Sequence, residues 1–171
     1  MSMGASLPRS DRLVLMGVAG CGKSSVGAAL SARIGLPYRD GDDLHPAANV
    51  AKMRRGDPLT DEDRWPWLEM VGQELVKTPM IIGCSALKRR YRQRISETSG
   101  QPVTFVHLSG SREVIEARMQ ARKGHFMPSS LLDSQFAALE PPAADENAVT
   151  VDIDQPLAAI VDSIVTALAK T

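Results

Sequence analysis

Short apolar runs alternate with longer amphipathic stretches along most of this chain. The first run, 13–17, ends at a glycine, and Val26, Leu30 and Ile34 then recur at helical spacing within 23–34. A short apolar run bounded by glycine is typical of a buried strand, and apolar residues four positions apart are typical of a helix. The pattern therefore predicts a strand followed by a helix over these two segments.

The same alternation continues to the end of the sequence. Further strands are predicted at 36–40, 80–84, 103–108 and 148–153, and further helices at 47–55, 61–77, 87–97, 112–122, 129–139 and 156–169. Strands that alternate with helices favour the α/β class, in which an open parallel sheet is covered by helices on both faces.

Prolines bear on two of the predicted helix boundaries. Pro156 stands at the first position of the last helix, where its missing N–H costs least. Pro66, between Trp65 and Trp67, would lie inside a helix that starts at Thr60. Because proline inside a helix removes a hydrogen bond, this helix either kinks or begins later, and we expect the later start, near Asp63.

Composition narrows the class of protein. The 171 residues, with 43% hydrophobic and 23% charged, fit one globular domain over 11–171 after a flexible tail at 1–10. Twenty basic and twenty acidic residues give zero formal charge, so we expect neither a nucleic acid nor a membrane as partner. Two cysteines are too few for a disulfide scaffold and favour a reducing compartment.

The most specific motif follows the first predicted strand. Residues 17–24, GVAGCGKS, satisfy G-x-x-x-x-G-K-[ST] at every position, between a strand and a helix as this motif requires. Backbone N–H groups of such a loop surround phosphate oxygens, while Lys23 reaches the β- and γ-phosphates and Ser24 binds Mg²⁺. Contacts to ATP are expected from Gly17, Ala19, Gly20, Cys21, Gly22, Lys23, Ser24 and Ser25. The alternative is a tight strand-to-helix turn without a ligand.

The rest of the chain limits what a phosphate-binding loop can serve. A guanine-specific N-K-x-D element is absent, which counts against a GTPase, and 171 residues leave little room for a motor. A kinase of small molecules remains.

Asp40, Asp42 and Asp43 follow the second predicted strand, at the sheet edge where α/β proteins bind ligands. They predict either a site for a cation or a polyol, or a solvated acidic turn that caps the next helix.

Several longer strings resemble the gluconokinases, relatives of the shikimate kinases. They are GDDLHP at 41–46, GDPLTDEDR at 56–64, CSALKRRYR at 84–92, ARKGHF at 121–126 and VDIDQP at 151–156. The resemblance runs from about Leu13 to the C-terminus. Ala19 and Cys21 depart from it, since hydroxyl residues are frequent at these variable loop positions in the family.

The resemblance implies a fold and a reaction. The fold is the P-loop NTPase fold in its nucleoside-monophosphate-kinase-like form, with a five-stranded parallel sheet in the order 2-3-1-4-5 and a small lid at about 118–133. The reaction is transfer of phosphate from ATP to the 6-hydroxyl of D-gluconate, which gives 6-phospho-D-gluconate and ADP in carbohydrate acid catabolism. The resemblance also implies a cytoplasmic homodimer that uses Mg²⁺.

The resemblance assigns roles to individual residues as well. Asp40 would lie near Mg²⁺ with Ser24, and Asp42 would hold the acceptor hydroxyl and take or orient its proton. Arg118 would lie against the adenine and Arg122 against the phosphates, so that Lys23, Asp42 and Arg122 are the catalytic set. Gln155 and Pro156 complete the expected contacts to ATP.

Five basic residues follow the third predicted strand in this otherwise neutral chain. Arginine pairs bidentately with carboxylates, which suits a sugar acid. Helical spacing does not allow all five to face one ligand, so we expect Lys88 and Arg89 near the active site and Arg92 and Arg94 on a solvated face. Further candidates for the substrate are His45, Arg54, Arg64 and Ser85. Aromatic residues are only 4% of the chain, which counts against a nucleic-acid surface.

A basic segment around Gly124 reads as a lid. Arg118, Arg122, Lys123 and His125 surround this glycine between two predicted helices. A lid of this kind closes over ATP, excludes water and brings positive charge to the transferred phosphoryl group. The alternative is a helix end decorated with favourable cations. His107, in an apolar strand, is expected to be a core histidine with satisfied polar atoms.

Two other functions remain open from the sequence. One is a kinase of another small carboxylated polyol or of shikimate, which would share the phosphate loop, the lid and the paired aspartates. The other is a non-catalytic module that binds nucleotide as a sensor of ATP or of a sugar acid. Release of ADP that depends on gluconate separates the gluconokinase from both.

Overall fold

A computed structural model describes residues 11–121 and 129–170 of the chain. Its centre is a sheet of five parallel strands in the order β2-β3-β1-β4-β5. The strands are β1 (Arg12–Met16), β2 (Tyr38–Asp40), β3 (Met80–Gly83), β4 (Thr104–Ser109) and β5 (Ala148–Asp152). The predicted fold class and strand order are thereby confirmed.

Helices lie between successive strands and after the last one. They are α1 (Lys23–Ile34), α2 (Ala47–Arg54), α3 (Asp61–Lys77), α4 (Arg89–Ser99), α5 (Arg112–Ala121), α6 (Ser129–Ala138) and α7 (Leu157–Lys170). A short 3-10 turn, Gly41–Leu44, follows β2 directly. None of these helices is both long and apolar enough to cross a membrane, as judged over the described ranges.

Successive residues of β1 supply the two faces of the sheet. Leu13 and Leu15 belong to a buried cluster that includes residues of α1 and α7, whereas Val14 and Met16 belong to a second cluster that includes residues of α3 and α4. This alternation is what a pleated strand requires when it is buried on both sides. The sheet is therefore sandwiched between two layers, and its strand ends stay open for a site.

Helix α3 begins earlier than the prolines suggest. Thr60 accepts a hydrogen bond from the N–H of Asp63, and the Asp63 carboxylate accepts one from the N–H of Thr60, a reciprocal capping box. The helix starts at Asp61 and contains Pro66. The predicted start near Asp63 is wrong because this cap, together with three acidic residues in the first turn, stabilises the end that proline would otherwise have shortened.

Two polar residues in the core also differ from expectation. Arg92 is not on a solvated face: its side chain is 2% exposed and pairs with Glu146 at 2.7 Å. It also donates to the carbonyl of Ala86, whose φ of 43° is left-handed, at 2.9 Å. His107 is buried as predicted, but its Nδ1 has no hydrogen-bond partner within the part of the chain described, so the expectation that it is satisfied is wrong.

Candidate active site

The phosphate loop leaves the end of β1 in a conformation that only glycine tolerates well. Gly17, Gly20 and Gly22 have φ angles of 150°, 84° and 95°. A Cβ at Gly17 would lie 2.9 Å from the carbonyl oxygen of Leu108, so the loop also packs too tightly against β4 for a side chain. Helix α1 begins at Lys23, directly after this loop. Its N-terminus is therefore available to an anion.

Lys23 folds back over the loop in the described conformation. Its ammonium donates to the carbonyl oxygens of Gly17 at 3.0 Å and Val18 at 3.3 Å, and lies 3.7 Å from the Sγ of Cys21. The loop is anchored from below, since the N–H of Gly17 donates to the carbonyl of Ser85 at 3.2 Å. The cation is therefore held close to the phosphate site by contacts that a phosphate would replace.

Gln135 makes a contact with the loop that sequence reasoning missed. Its Oε1 accepts a hydrogen bond from the N–H of Ala19 at 2.6 Å, across 116 residues of sequence. Gln135 lies on α6, two residues beyond the predicted lid. No motif marks it, and the only available signal was a glutamine in the apolar sequence of this helix. A loop N–H of the kind that binds phosphate is thus occupied by a side-chain oxygen.

The acidic residues form the 3-10 turn at the end of β2. Asp40 accepts a hydrogen bond from the N–H of Asp42 at 2.9 Å, and Trp67 Nε1 donates to the carbonyl of Gly41 at 2.8 Å. The Asp42 side chain is 78% exposed. Desolvation and the neighbouring Asp40 charge raise the pKa of Asp42, while Lys23 opposes the shift.

Tyr38, at the start of β2, connects the acidic turn to the phosphate loop. Its hydroxyl is hydrogen-bonded to the Ser24 side chain, and burial raises its pKa to about 12. Its ring packs on Gly27 and its hydroxyl oxygen on Gly83, where an added Cβ would lie 2.2 Å from the ring and 2.3 Å from the hydroxyl oxygen. Tyr38 therefore fixes the rotamer of Ser24, a role that the sequence did not suggest because tyrosine is also a common strand residue.

His45 lies behind the acidic turn and is held on three sides. Its Nε2 is 4.0 Å from Asp42 Oδ1, and its Nδ1 is 3.2 Å from the side-chain nitrogen of Asn49. Its ring stacks on Trp67 with centroids 4.0 Å apart. Burial, reinforced by the positive charge of Arg64, lowers the pKa of His45 to about 4. The imidazole is therefore neutral at physiological pH.

Several basic residues gather around Tyr91. Arg64, Lys88 and Arg90 place their charged groups 5.4, 5.7 and 5.8 Å from its ring centroid. The Tyr91 hydroxyl donates to Asp61 at 2.5 Å, and this bond is the main reason why the pKa of Asp61 is lowered. Two of the predicted substrate residues, Arg64 and Lys88, thus share one positively charged wall.

The remaining predicted basic residues lie elsewhere. Arg89 forms a two-pronged ion pair with Asp145 at 2.9 and 2.7 Å, and its backbone N–H donates to Glu140. Lys88 and Arg89 therefore point to different partners, although they are adjacent in sequence. Arg54 is exposed in the last turn of α2.

Arg118 reaches the loop that follows β5. Its guanidinium donates to the carbonyl oxygens of Ile153 and Gln155, and the Gln155 side chain donates to Asp152 at 2.7 Å. Pro156 precedes α7 in the same loop. Arg118, Gln155 and Pro156, all expected to contact ATP, therefore lie together in the structure. Arg122, Lys123, Gly124 and His125 lie outside the described residues, and so does much of the predicted lid at 118–133.

The strand order, the lysine of the glycine-rich loop after β1 and the carboxylates two strands away at the end of β2 together define a P-loop kinase of small molecules. The shikimate kinase family matches the chain over residues 19–169. The thermoresistant gluconokinase of Escherichia coli is 44% identical over 92% of this chain and 93% of its own. The chain therefore belongs to the shikimate kinase family and, within it, to the gluconokinases.

Solved structures agree with this placement. A gluconokinase from Sinorhizobium meliloti superimposes with a TM-score of 0.87 and 49% identity, over 93% of this chain and 91% of that one. A shikimate kinase from Aquifex aeolicus has a TM-score of 0.60 at 17% identity, over 93% and 96% of the two chains. The second likeness concerns the fold alone.

Proposed function

We propose that this kinase transfers the γ-phosphoryl group of ATP to the 6-hydroxyl of D-gluconate, which yields 6-phospho-D-gluconate and ADP. One observation carries the proposal beyond the family name. The neutral imidazole of His45 lies 4.0 Å from the Asp42 carboxylate and is close enough to the Arg64 guanidinium for that charge to lower its pKa, while Lys23 is near enough to oppose the pKa shift of Asp42. A hydroxyl-rich carboxylate needs all three kinds of partner beside the phosphate loop.

On the donor side, the loop N–H groups bind the phosphates of ATP and Lys23 neutralises charge as the phosphoryl group leaves. To do so, the ammonium exchanges the carbonyl oxygens of Gly17 and Val18 for phosphate oxygens. Arg118, Gln155 and Pro156 hold the adenine, and Arg122 would reach the phosphates from the lid. We assign these ATP-binding residues and the acceptor residues to one kinase domain over 11–171.

Magnesium fits the residues that face the donor site. Mg²⁺ in kinases is bound by phosphates, waters and one or two protein oxygens rather than by an all-protein cage. Tyr38 lies near two oxygen ligands suited to Mg²⁺. Its hydroxyl is hydrogen-bonded to the Ser24 side chain, and the charge of Asp40 raises the pKa of Tyr38. Ser24 and Asp40 would hold the ion, which neutralises phosphate charge when bound. Tyr38 and the turn keep these oxygens in place.

On the acceptor side, Asp42 accepts the proton of the 6-hydroxyl as the oxygen attacks the γ-phosphorus. Its raised pKa makes it a stronger base than an ordinary aspartate. Arg64 and Lys88 bind the gluconate carboxylate, and Ser85 binds a hydroxyl. Arg54 and Arg89 are weaker candidates, because Arg54 is exposed and Arg89 is engaged by Asp145.

We further propose a cytoplasmic homodimer. Both cysteines are buried free thiols, which suits a reducing compartment. Met70 and Val76 are 40% and 46% exposed on α3, apolar surface of the kind that subunit contacts cover. Light scattering of the purified protein measures the oligomeric state.

The reaction is tested by ADP release from Mg·ATP with no acceptor, D-gluconate, shikimate and a panel of sugar acids. Stimulation by gluconate alone is expected. Stimulation by shikimate or by another acid instead would replace the substrate, and ATP binding without turnover on any acceptor would favour a sensor.

The side chains proposed to hold the acceptor, those of Asp42, His45, Arg64 and Lys88, are called the acceptor wall. It is tested by Arg64→Lys, which keeps the charge but loses the planar fork of the guanidinium. We expect the KM for gluconate to rise about 30-fold, as for loss of a charge-assisted pair, with an unchanged KM for ATP. Arg55→Lys is the matched control, since Arg55 is exposed and pairs with Asp57 away from this wall. Equal effects of the two substitutions would remove Arg64 from the site.

A further inference from the structure

A buried amide behind the acidic turn determines the proton position on His45. Asn49 is 4% exposed, and its side-chain nitrogen lies 2.9 Å from the carbonyl oxygen of Asp63 and 3.2 Å from His45 Nδ1. A carbonyl oxygen only accepts hydrogen bonds, so the Asn49 atom that faces Asp63 is the NH₂ group. Its second N–H then points at His45 Nδ1, which must be the unprotonated nitrogen.

The opposite ring nitrogen faces the acceptor site. With Nδ1 bare, the neutral ring of His45 carries its hydrogen on Nε2, 4.0 Å from Asp42 Oδ1. Trp67 holds both groups, because it stacks on the imidazole and donates to the carbonyl of Gly41, next to Asp42. The side chain of His45 is 4% exposed, so its ring has little freedom to turn over.

Protonation does not compete with this arrangement near neutral pH. Burial and Arg64 lower the pKa of His45 to about 4, so the ring stays neutral and offers one donor and one acceptor. The charged groups that face it are Asp42, on the turn, and Arg64, on α3.

We infer that Asn49 is a positioning residue that locks His45 in the Nε2–H tautomer, so that His45 presents a hydrogen-bond donor beside the Asp42 acceptor. The next step rests on the proposed function: the pair Asp42 and His45 recognises two adjacent hydroxyls of the substrate. One hydroxyl gives its proton to Asp42, and the oxygen of the neighbouring hydroxyl accepts a hydrogen bond from His45 Nε2–H. A sugar acid chain presents such a pair at its reacting end. Trp67 keeps the spacing between donor and acceptor constant.

The tautomer is measured directly by two-bond ¹H–¹⁵N correlation of the ring nitrogens of ¹⁵N-labelled full-length protein at pH 7. The chain has three histidines, and His45→Gln identifies the resonances of this one. We expect an unprotonated Nδ1 and a protonated Nε2. The opposite pattern in the unsubstituted protein would overturn the inference without any variant.

Asn49→Asp tests the role of the amide, since a carboxylate accepts where the amide donates. The hydrogen of His45 should move to Nδ1, and the KM for gluconate should rise about tenfold with the KM for ATP unchanged. Asn49→Ala removes the amide without placing a carboxylate oxygen against the carbonyl oxygen of Asp63. It should give a mixture of the two His45 tautomers and a smaller rise in the KM for gluconate. Asn147→Asp is the control, because Asn147 donates to Val103 far from this site.

Retention of the Nε2–H tautomer and of the KM in both Asn49 variants would also refute the inference. A wild-type protein that does not phosphorylate gluconate would refute the proposed function instead, and the ring spectra of the two variants would still decide whether Asn49 sets the tautomer.

Discussion

The phosphate loop and the acceptor wall are built in different ways. The loop takes its shape from consecutive residues, through glycines with positive φ and backbone bonds such as that from Val26 to Gly22. The acceptor wall comes from the 3-10 turn, α2, α3 and α4, and its bonds join residues far apart, as Arg64 and Tyr91 are. Phosphate binding is thus a local property of the chain, whereas acceptor choice is a property of tertiary packing.

The largest expected effect in a test of this contrast comes from removal of Lys23, the cation of the phosphate loop. Lys23→Ala should lower kcat about 10³-fold with every acceptor, because the charge it supplies is needed most in the transition state. Steady-state kinetics measure the effect. Lys77→Ala, at an exposed lysine paired with Glu74, is the control and should stay within about twofold of the unsubstituted enzyme. A loss confined to gluconate would assign Lys23 to the acceptor side.

The burial of His45 in the acceptor wall should be detectable in the pH dependence of protein stability, without a measurement of the reaction rate. His45 has a pKa of about 4 when folded, against about 6.5 unfolded, so the unfolded state binds more protons between these values. The contribution of this residue to stability is therefore complete above pH 6.5 and is lost as the pH drops to 4, by about 3 kcal/mol. Urea unfolding at pH 7, 5.5 and 4.5 measures the slope.

His45→Gln should flatten that slope, since it removes the titrating group. Asp63, whose pKa is lowered to about 2 by its bonds to Lys52 and Thr60, loses its contribution at lower pH and does not interfere. His107, with its pKa lowered by burial, contributes equally in both proteins. An unchanged slope in the variant would show that the imidazole is not desolvated when folded.

The smallest expected effect concerns a tertiary contact to the phosphate loop, which is an exception to the contrast between a locally shaped loop and an acceptor wall built by tertiary packing. Gln135 occupies the N–H of Ala19 from 116 residues away, so the loop is not shaped by local bonds alone. Gln135→Ala should tighten ATP binding about fivefold, since a competing hydrogen bond of about 1 kcal/mol is removed from the free state. Calorimetric titration with ATP measures it, and Gln73→Ala, at an exposed position on α3, is the control. Weaker binding would mean that Gln135 instead holds the loop ready for phosphate.

The contrast also explains what the sequence could predict. The alternating strands and helices, the two helix layers and the position of the loop follow from periodicity and glycine positions, whereas the strand order came from the resemblance to the gluconokinases, and both agree with the structure. The start of α3 was mispredicted because a reciprocal cap at Thr60 and Asp63 prevailed over proline at Pro66. Such competition between two local preferences is decided by free energies that a pattern does not contain.

For the basic residues that follow β3, only the residue types could be predicted from the sequence and not their places in the structure. Arg89 and Arg92 are three positions apart on one helix, yet one pairs with exposed Asp145 and the other is buried with Glu146. Their partners arrive from a loop about 50 residues later, which helical spacing cannot show. Asn49 and Trp67 were missed for the same reason, because an amide and an indole acquire a role only from the side chains packed against them.

The Arg92 pair constrains how this enzyme can diverge. Arg92 and Glu146 are 2% and 10% exposed, and loss of one would leave the other as a buried charge, at a cost of about 3–5 kcal/mol. A single substitution at either position would consume much of the stability of a typical domain. Substitutions at the two positions are therefore expected to be tolerated only when they are made together, so a change of acceptor preference has to leave this pair intact.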